Sequence, residues 1–262
     1  MTRTSSPCSS AAASHEATSR RRSGVVSIAA CQRLQSAWYA ALATATGGRT
    51  FSTHGATWVW LPARRELMMM FPGTVRAHAV RPALAEGTRL GASSVRVWLN
   101  GAVDGAELGG LGFSPSWQPW WMTAPVAAVV APGDDAAALT TEVPDYSGPL
   151  QQELRVVGAQ PRQAWHAVTR DREHGNISGA AYAFYPAGVA GMNGLGSIHQ
   201  LEVLPAYQRR GLATALLSAV ARAAGEAGAV DLAVNATPAG YGFFSRRGFT
   251  LLGRGKTYVL GL

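Results

Sequence analysis

The chain has 262 residues, which at roughly 150 per domain allows one or two domains, each with a full core. Hydrophobic residues make up 47% and charged residues 15%, with 30 glycines and 14 prolines, and that mixture excludes a disordered, collagen-like or coiled-coil chain. The formal net charge is +8 with Lys256 as the only lysine, so nearly all the positive charge is guanidinium, which binds phosphate well.

Residues 1–24 are rich in Ser, Ala and Arg with one acid. They resemble a transit peptide in composition but read as a disordered basic tail, drawn at 1–30, or an over-extended start. Cys31 to Thr46 places Leu34, Trp38, Ala41 and Leu42 at helical spacing and stops at Gly47-Gly48, a helix with a glycine exit. Thr57 to Leu61 and Glu66 to Phe71 predict a strand pair, Val80 to Leu90 a helix, Ser94 to Leu99 a strand, Val103 to Leu111 a short helix, and Trp117 to Val130 one or two strands. Ala131 to Pro149 gathers Pro, Gly, Asp and Thr without periodicity and reads as a linker. Beyond it, Gln163 to Thr169, Ile177 to Tyr185 and Ile198 to Leu204 predict strands, the second alternating Ala180, Tyr182, Phe184 on one face. Leu212, Leu216 and Val220 mark a long helix, Val230 to Val234 a strand, Ala239 to Arg247 a helix and Thr250 to Leu260 a last strand. Strands and helices mixed in that order define an α/β domain.

Charge is unevenly spread. Residues 1–33 hold five arginines and one glutamate, residues 34–149 seven arginines and eight acids, and residues 150–262 ten arginines and Lys256 against six acids. A middle third without excess charge argues against a continuous nucleic-acid surface. Cys8 and Cys31 are too distant for a metal knuckle and too few for a disulfide framework, so a reducing cytoplasm is expected. The six histidines show no ligand spacing, so no metal is expected. The longest apolar run, Trp121 to Ala131, falls short of the ~20 residues a bilayer needs.

The two halves repeat one another. A helix ending at Gly91-Ala92 is followed by the strand Val95 to Asn100 and then Gly112-Phe113; a helix ending at Gly228-Ala229 is followed by Asp231 to Asn235 and then Gly248-Phe249. This repeat of supersecondary order reads as a duplicated domain.

The chemistry concentrates in Gln208-Arg209-Arg210-Gly211-Leu212-Ala213-Thr214, between a strand and an amphipathic helix. A helix N-terminus exposes unpaired N–H groups and a partial positive charge, a ready place for a phosphate. Gly211 and small Ala213 let the backbone come close, and Arg209 and Arg210 add charge. Taken alone, the stretch is equally a basic helix start. No P-loop, Rossmann fingerprint or GxSxG elbow is present.

In context, Leu201 to Leu217 (LEVLPAYQRRGLATALL) resembles the acetyl-coenzyme A signature of the GNAT acetyltransferase superfamily, Q/R-x-x-G-x-G/A after a strand, with Gln208, Gly211 and Ala213 filling it. Asn235 to Phe249 resembles the family's closing element, a strand-end Asn and a helix reading L-Y-x-x-x-G-F. The resemblance covers residues 160–262 strongly. In the first half no such glycine signature precedes the Val80 to Leu90 helix, which looks like a degenerate copy. The implied architecture is two GNAT-like domains, each a mixed, mostly antiparallel sheet flanked by helices, with a splayed parallel strand pair in the C-terminal one. The expected divisions are a degenerate domain at 31–133, a linker at 134–149 and an acetyl-coenzyme A-binding domain at 150–262.

The resemblance implies that the backbone of Leu201 and Val203 pairs with the pantetheine arm, and that N–H groups from Arg209 through Arg210, Gly211, Leu212 and Ala213 to Thr214 hold the pyrophosphate, beside Gln208. Asn235 would touch the pantetheine, and Arg246 or Arg247 would meet the 3′-phosphate. Acetyl transfer needs a neutral amine, hence a base. Glu202, flanked by apolar Leu201 and Val203, is the candidate, its burial expected to tune it; the alternative is a salt bridge to His199 or an arginine. Where the family carries a tyrosine acid this chain has Phe244, and Tyr241, three residues earlier, is the expected substitute. Seven of the eight tryptophans lie before the linker, read as core and inter-domain packing or as an aromatic acceptor pocket. The expected activity is N-acetyl transfer from acetyl-coenzyme A to an amine acceptor. The other readings are a non-catalytic acyl-coenzyme A sensor and nucleic-acid binding through the tail.

Overall fold

A computed structural model describes residues 25–131, 136–141, 151–192 and 194–262; the tail at 1–24 and most of the 134–149 linker lie outside them. Helix α1 spans Ile28–Ala45, opened by Ser27, whose Oγ accepts the Ala30 N–H at 3.2 Å. Strands β1 (Arg49–Thr53), β2 (Ala56–Leu61) and β3 (Glu66–Met70) follow, then helix α2 (Ala77–Arg89) and strand β4 (Ser94–Asn100). Helix α3 (Ala106–Gly109), β5 (Ser114–Pro115), β6 (Trp120–Pro125) and α4 (Val126–Val129) complete the first run. The second comprises β7 (Ala137–Leu139), α5 (Gln151–Ala159), β8 (Ala164–Arg170), β9 (Ile177–Phe184), β10 (Leu195–Val203), α6 (Leu212–Glu226), β11 (Asp231–Ala236), α7 (Pro238–Ser245) and β12 (Thr250–Gly261).

Several elements escape the sequence pattern, among them β7, which lies inside the irregular 131–149 stretch and pairs with β8. β1 has no fully buried residue, and α5 abuts the irregular 131–149 stretch. In β9 Tyr182 and Phe184 share one face, toward α1, as the alternation suggests, but the opposite face is buried as well, with Ala181 and Ala183 beneath α6 and every residue from Ser178 to Phe184 buried. The sheet is covered on both faces there, by α6 on one and α1 with α5 on the other, which removes the polar face.

The strands join one sheet in the order β1-β2-β3-β4-β12-β6-β11-β10-β9-β8-β7. Most pairs are antiparallel; β3 with β4 and β10 with β11 are parallel, each joined through a helix. The closing strands of the two runs are exchanged. β6 of the first run lies against β11 of the second, Asn235 opposite Trp121, while β12 at the end of the chain runs from β6 onto β4, with Lys256 opposite Leu99.

The duplication is legible in the caps. The N–H of Ala92 reaches the carbonyl of Gly87, and that of Ala229 the carbonyl of Ala224, both at 2.9 Å after α2 and α6. The N–H of Phe113 reaches Leu108, and that of Phe249 reaches Phe244, after Gly112 at φ +87° and Gly248 at φ +84°. These are glycine helix exits of one kind at matching places.

One core lies under α2 (Trp58, Leu67, Val80, Val95), another under α6 (Met122, Leu216, Val220, Leu232). A third spans both runs beneath α1, where Leu34, Trp38 and Leu42 are fully buried beside Met68, Trp98, Trp121, Phe184 and Ala233. Each such side chain contributes roughly 1.5–3 kcal/mol. Trp98 packs edge-on to Trp117 at 5.4 Å and Phe71 onto Trp121 at 5.7 Å, and Trp98 and Trp121 join the core shared with Phe184 and Ala233.

Candidate active site

The site begins where β10 leaves β11. Their pairing runs from Leu195 opposite Asp231 to Ile198 opposite Val234 and stops, although β10 continues to Val203 and β11 to Ala236. An irregularity between His199 and Glu202, with Gln200 at φ +49°, turns β10 away while it stays paired to β9. A non-glycine residue in that region costs on the order of 1–2 kcal/mol, so surrounding contacts must hold it. From this splay a groove of about 1010 Å³ runs along Leu201, Glu202 and Val203, past the start of α6, to the inner face of α7.

At the start of α6 the backbone is arranged for an anion. Arg209 stands at φ +65° and Gly211 at φ +83°. A Cβ on Gly211 would meet no atom within 4 Å; it would project into open space. The N–H groups of Gly211, Leu212 and Ala213 have no acceptor among the described residues, whereas that of Thr214 turns back to the Gly211 carbonyl at 2.9 Å. Of the N–H groups from Arg209 to Thr214 only the last is thus engaged, since those of Arg209 and Arg210 also have no acceptor among the described residues. Gln208 lends structure, its Nε2 donating to the Val203 carbonyl at 3.0 Å; Arg210 donates to the Ala206 carbonyl at 3.0 Å. Arg247 donates to Thr214 Oγ1 at 3.1 Å and lies over the Phe243 ring, and with Arg246 it closes the far end. Cationic, donor-rich and open, this end fits a pyrophosphate.

The catalytic candidates separate. Glu202 lines the groove but is exposed, not partly buried, because Leu201 and Val203 turn into the core beneath α6 and alternation leaves Glu202 outside it. It forms no ion pair among the described residues. Tyr241 is not brought into the groove. Its ring is 37% exposed and packs edge-on to Trp120 at 5.0 Å, because a step of three residues along a helix leaves it about 60° off the face of Phe244. Phe244, 7% exposed, lines the groove with Phe243.

Asn235 lies just past the last parallel pair, and its Nδ2 donates to Gln35 Oε1 on α1 at 3.1 Å, leaving a buried Oδ1 unpartnered among the described residues. Around it Cys31, Gln35, Trp121, Ser197, Ile198 and His199 line a small chamber with Ala233 and Val234. His199 stacks on Trp38 at 4.3 Å and shares a 2.8 Å hydrogen bond between Nε2 and Ser197 Oγ. Burial pushes its pKa down to about 3, so the ring is neutral. The same burial raises the Cys31 thiol to about 12, which makes it inert. Sequence reasoning missed Gln35 and gave His199 only a salt-bridge role; no local pattern announces that α1 lies against β10.

The corresponding place in the first run is filled by the protein itself. Glu107 on α3 accepts the Ala77 N–H at the start of α2 at 2.7 Å and pairs with Arg76 at 3.0 Å. The Ala77 hydrogen bond, followed by Arg76, holds the carboxyl below the usual range. A carboxylate thus sits where the second run leaves room for a phosphate.

A splayed parallel pair beside a glycine-led helix start, in a mixed sheet flanked by helices, defines the GNAT fold. Residues 144–258 match the acetyltransferase (GNAT) domain. Among solved structures it is similar to a GCN5-related N-acetyltransferase from Kribbella flavida (15% identity, TM-score 0.58, covering 90% of this chain and 96% of that one). A GCN5-related N-acetyltransferase-like protein from Streptococcus suis shares 12% identity with a TM-score of 0.55 over 88% and 99% of the two chains. A tandem GNAT protein from the clavulanic acid biosynthesis pathway shares 13% with a TM-score of 0.51 over 88% and 94%. No curated protein matches in sequence. The fold supports acyl transfer. Among the described residues no cluster could hold a metal ion, and no helix is long and apolar enough to cross a membrane.

Proposed function

We propose that this protein is a cytoplasmic enzyme that transfers an acetyl group from acetyl-coenzyme A to an amine by direct attack. The observation that carries this reading is the groove joining the unpaired edge of β10 to the free N–H groups at the start of α6. Gly211, Leu212 and Ala213 would bind the pyrophosphate, with Arg246 and Arg247 as counter-charge. The backbone of Leu201 and Val203 would hold the arm, its carbonyl oxygen meeting a strand N–H where charge develops. The donor supplies a thioester-activated acetyl group. Glu202, exposed at the splay, takes the proton from the acceptor ammonium; the free amine forms the new C–N bond as the C–S bond breaks. The thiol has a pKa near ~8.5 by analogy with cysteine, so it departs tolerably from a site that presents Phe244 where a proton donor would stand.

Thiol release is to be measured against a panel of amines, with acetyl-coenzyme A affinity by calorimetry. Glu202→Gln should lower turnover by about 10²-fold with affinity unchanged; equal turnover would remove Glu202 from the chemistry. A second reading has one observation behind it, the buried Phe244 with Tyr241 turned away. A binding module that senses acyl-coenzyme A would bind the donor yet release no thiol with any amine.

A further inference from the structure

The gap left where β10 and β11 part is stopped on its far side. At its apex, around the last parallel pair of Ile198 and Val234, lies the small chamber, with a volume of about 10 Å³. Ile198 and Val234 belong to the core beneath α6, whereas Cys31, Trp121 and Ala233 belong to the core beneath α1, so the chamber passes through the plane of the sheet. Helix α1 closes it there. Cys31, Gln35 and Trp38 follow one another at steps of four and three along α1 and share one face. Trp38 stacks on His199 of β10 at 4.3 Å, and Gln35 Oε1 accepts from Asn235 of β11 at 3.1 Å, so the helix is fastened to both strands across their parting. Cys31, 1% exposed, lines the chamber one turn before Gln35.

Groove and chamber share this parting: Leu201, Glu202 and Val203 of the groove come on β10 just after Ser197, Ile198 and His199 of the chamber. The tie to Gln35 uses Asn235 Nδ2 and leaves Oδ1 buried without a partner among the described residues. A buried acceptor is costly until a donor reaches it, and a pantetheine arm carries one in the amide N–H nearest its sulfur. An arm that satisfies Oδ1 brings its acyl group to the chamber. A volume of about 10 Å³ is room for one water-sized group, which a methyl group fills and a longer chain exceeds. We infer that this chamber is the acyl pocket, and that Cys31 on α1 and Val234 on β11 restrict the donor to acetyl. The first run of the chain thus supplies a wall of the donor site, although its own helix start is capped. This rests on the acyl-transfer reading above, and its test is built to fail separately from it.

The test is calorimetric binding of coenzyme A and its acetyl, propionyl and butyryl thioesters to the full chain, without any amine. One methylene too many in an apolar pocket costs about 10–200-fold, so the wild type should bind the propionyl thioester at least about tenfold more weakly than the acetyl one, and the butyryl thioester more weakly still. Cys31→Ala and Val234→Ala each remove about a methyl-sized group or more and leave the space open; either should bring the acetyl and propionyl affinities to within about threefold. Coenzyme A, which has no acyl group, should bind all three proteins alike. Equal affinity for the three thioesters in the wild type, or a ranking that both variants leave unchanged, would overturn the proposal.

Thiol release with an amine that the wild type accepts should follow the same order in kcat/KM, and each variant should gain propionyl transfer relative to acetyl. If the wild type releases no thiol with any amine while the binding order and its relaxation hold, the acyl-transfer reading fails and the acyl pocket stands. The two substitutions enter the chamber from α1 and from β11, so if one of them prevents folding the other carries the same measurements.

Discussion

Replacing His199 by Phe should make the protein less stable near neutral pH and more stable in mild acid, and the crossing point can be worked out. In the folded chain burial holds this imidazole neutral with a pKa of about 3, against an ordinary 6.5. A folded pKa below the unfolded one means that the unfolded chain binds a proton the native chain refuses. Stability is therefore complete above about pH 6.5 and falls by about 1.36 kcal/mol per unit as pH drops, until the folded pKa is reached. Between pH 6.5 and about pH 5 the loss is ~2 kcal/mol. Phe keeps a flat ring against Trp38 but leaves Ser197 Oγ without its 2.8 Å partner, a cost of roughly 1 kcal/mol at every pH. The two stability curves should cross about 0.7 units below the unfolded pKa, near about pH 5.8. At about pH 5 the variant should lead by about 1 kcal/mol. His166, held down to about 4 by burial against a Thr140 backbone hydrogen bond, contributes the same acid slope to both proteins and cancels. Urea denaturation followed by tryptophan fluorescence at about pH 7.5, 6.5, 5.5 and 5.0 measures the difference. Parallel curves would refute the reasoning, since His199 would then titrate alike in both states.

Two further substitutions probe the groove. Gly211→Val should weaken acetyl-coenzyme A binding at least about tenfold by calorimetry, because the new side chain enters the open space at φ +83°; folding should lose about 1–2 kcal/mol from the backbone conformation alone. Phe244→Tyr places a hydroxyl in the groove and should raise kcat severalfold with affinity unchanged, whereas Tyr241→Phe, altering a ring stacked on Trp120, should change kcat by less than about threefold. A large loss in Tyr241→Phe would show that α7 turns in the working enzyme.

What the sequence discloses is local. Helix starts, glycine exits and strand periodicity follow from neighbouring residues, so Gly91, Gly112, Gly228 and Gly248 reveal the duplication before any coordinates, and Gly211 with Ala213 marks the anion end of the groove. Partnership between distant segments has no such signature. The period of β6 says that it is a strand but not that it lies against β11, about 110 residues on. Nor does the apolar face of α1 say that Gln35 will meet Asn235. Glu202 shows the same limit in one residue: apolar neighbours suggest burial, but alternation places them on the opposite face. Tyr241 fails for want of an angle, since three residues along a helix is near one turn but not on it.

The exchange of β6 and β12 bears on why one half of a duplicated chain can lose its site and still be retained. Each closing strand is hydrogen-bonded within the other half's sheet, and the core beneath α1 draws on both, so neither half has a complete sheet or a complete core alone. The first half is thus held by folding, whatever happens to its groove. Freed from binding, its helix start needs an internal anion for its unpaired N–H groups, and Glu107 supplies one on the Ala77 amide. In the second half the place matching Glu107, counted back from the shared Gly-Phe, is Phe243, which leaves the N–H groups of Gly211, Leu212 and Ala213 for a ligand. A single substitution of that kind decides whether a helix start is a cap or a binding site. Here both outcomes stand in one chain, on one sheet.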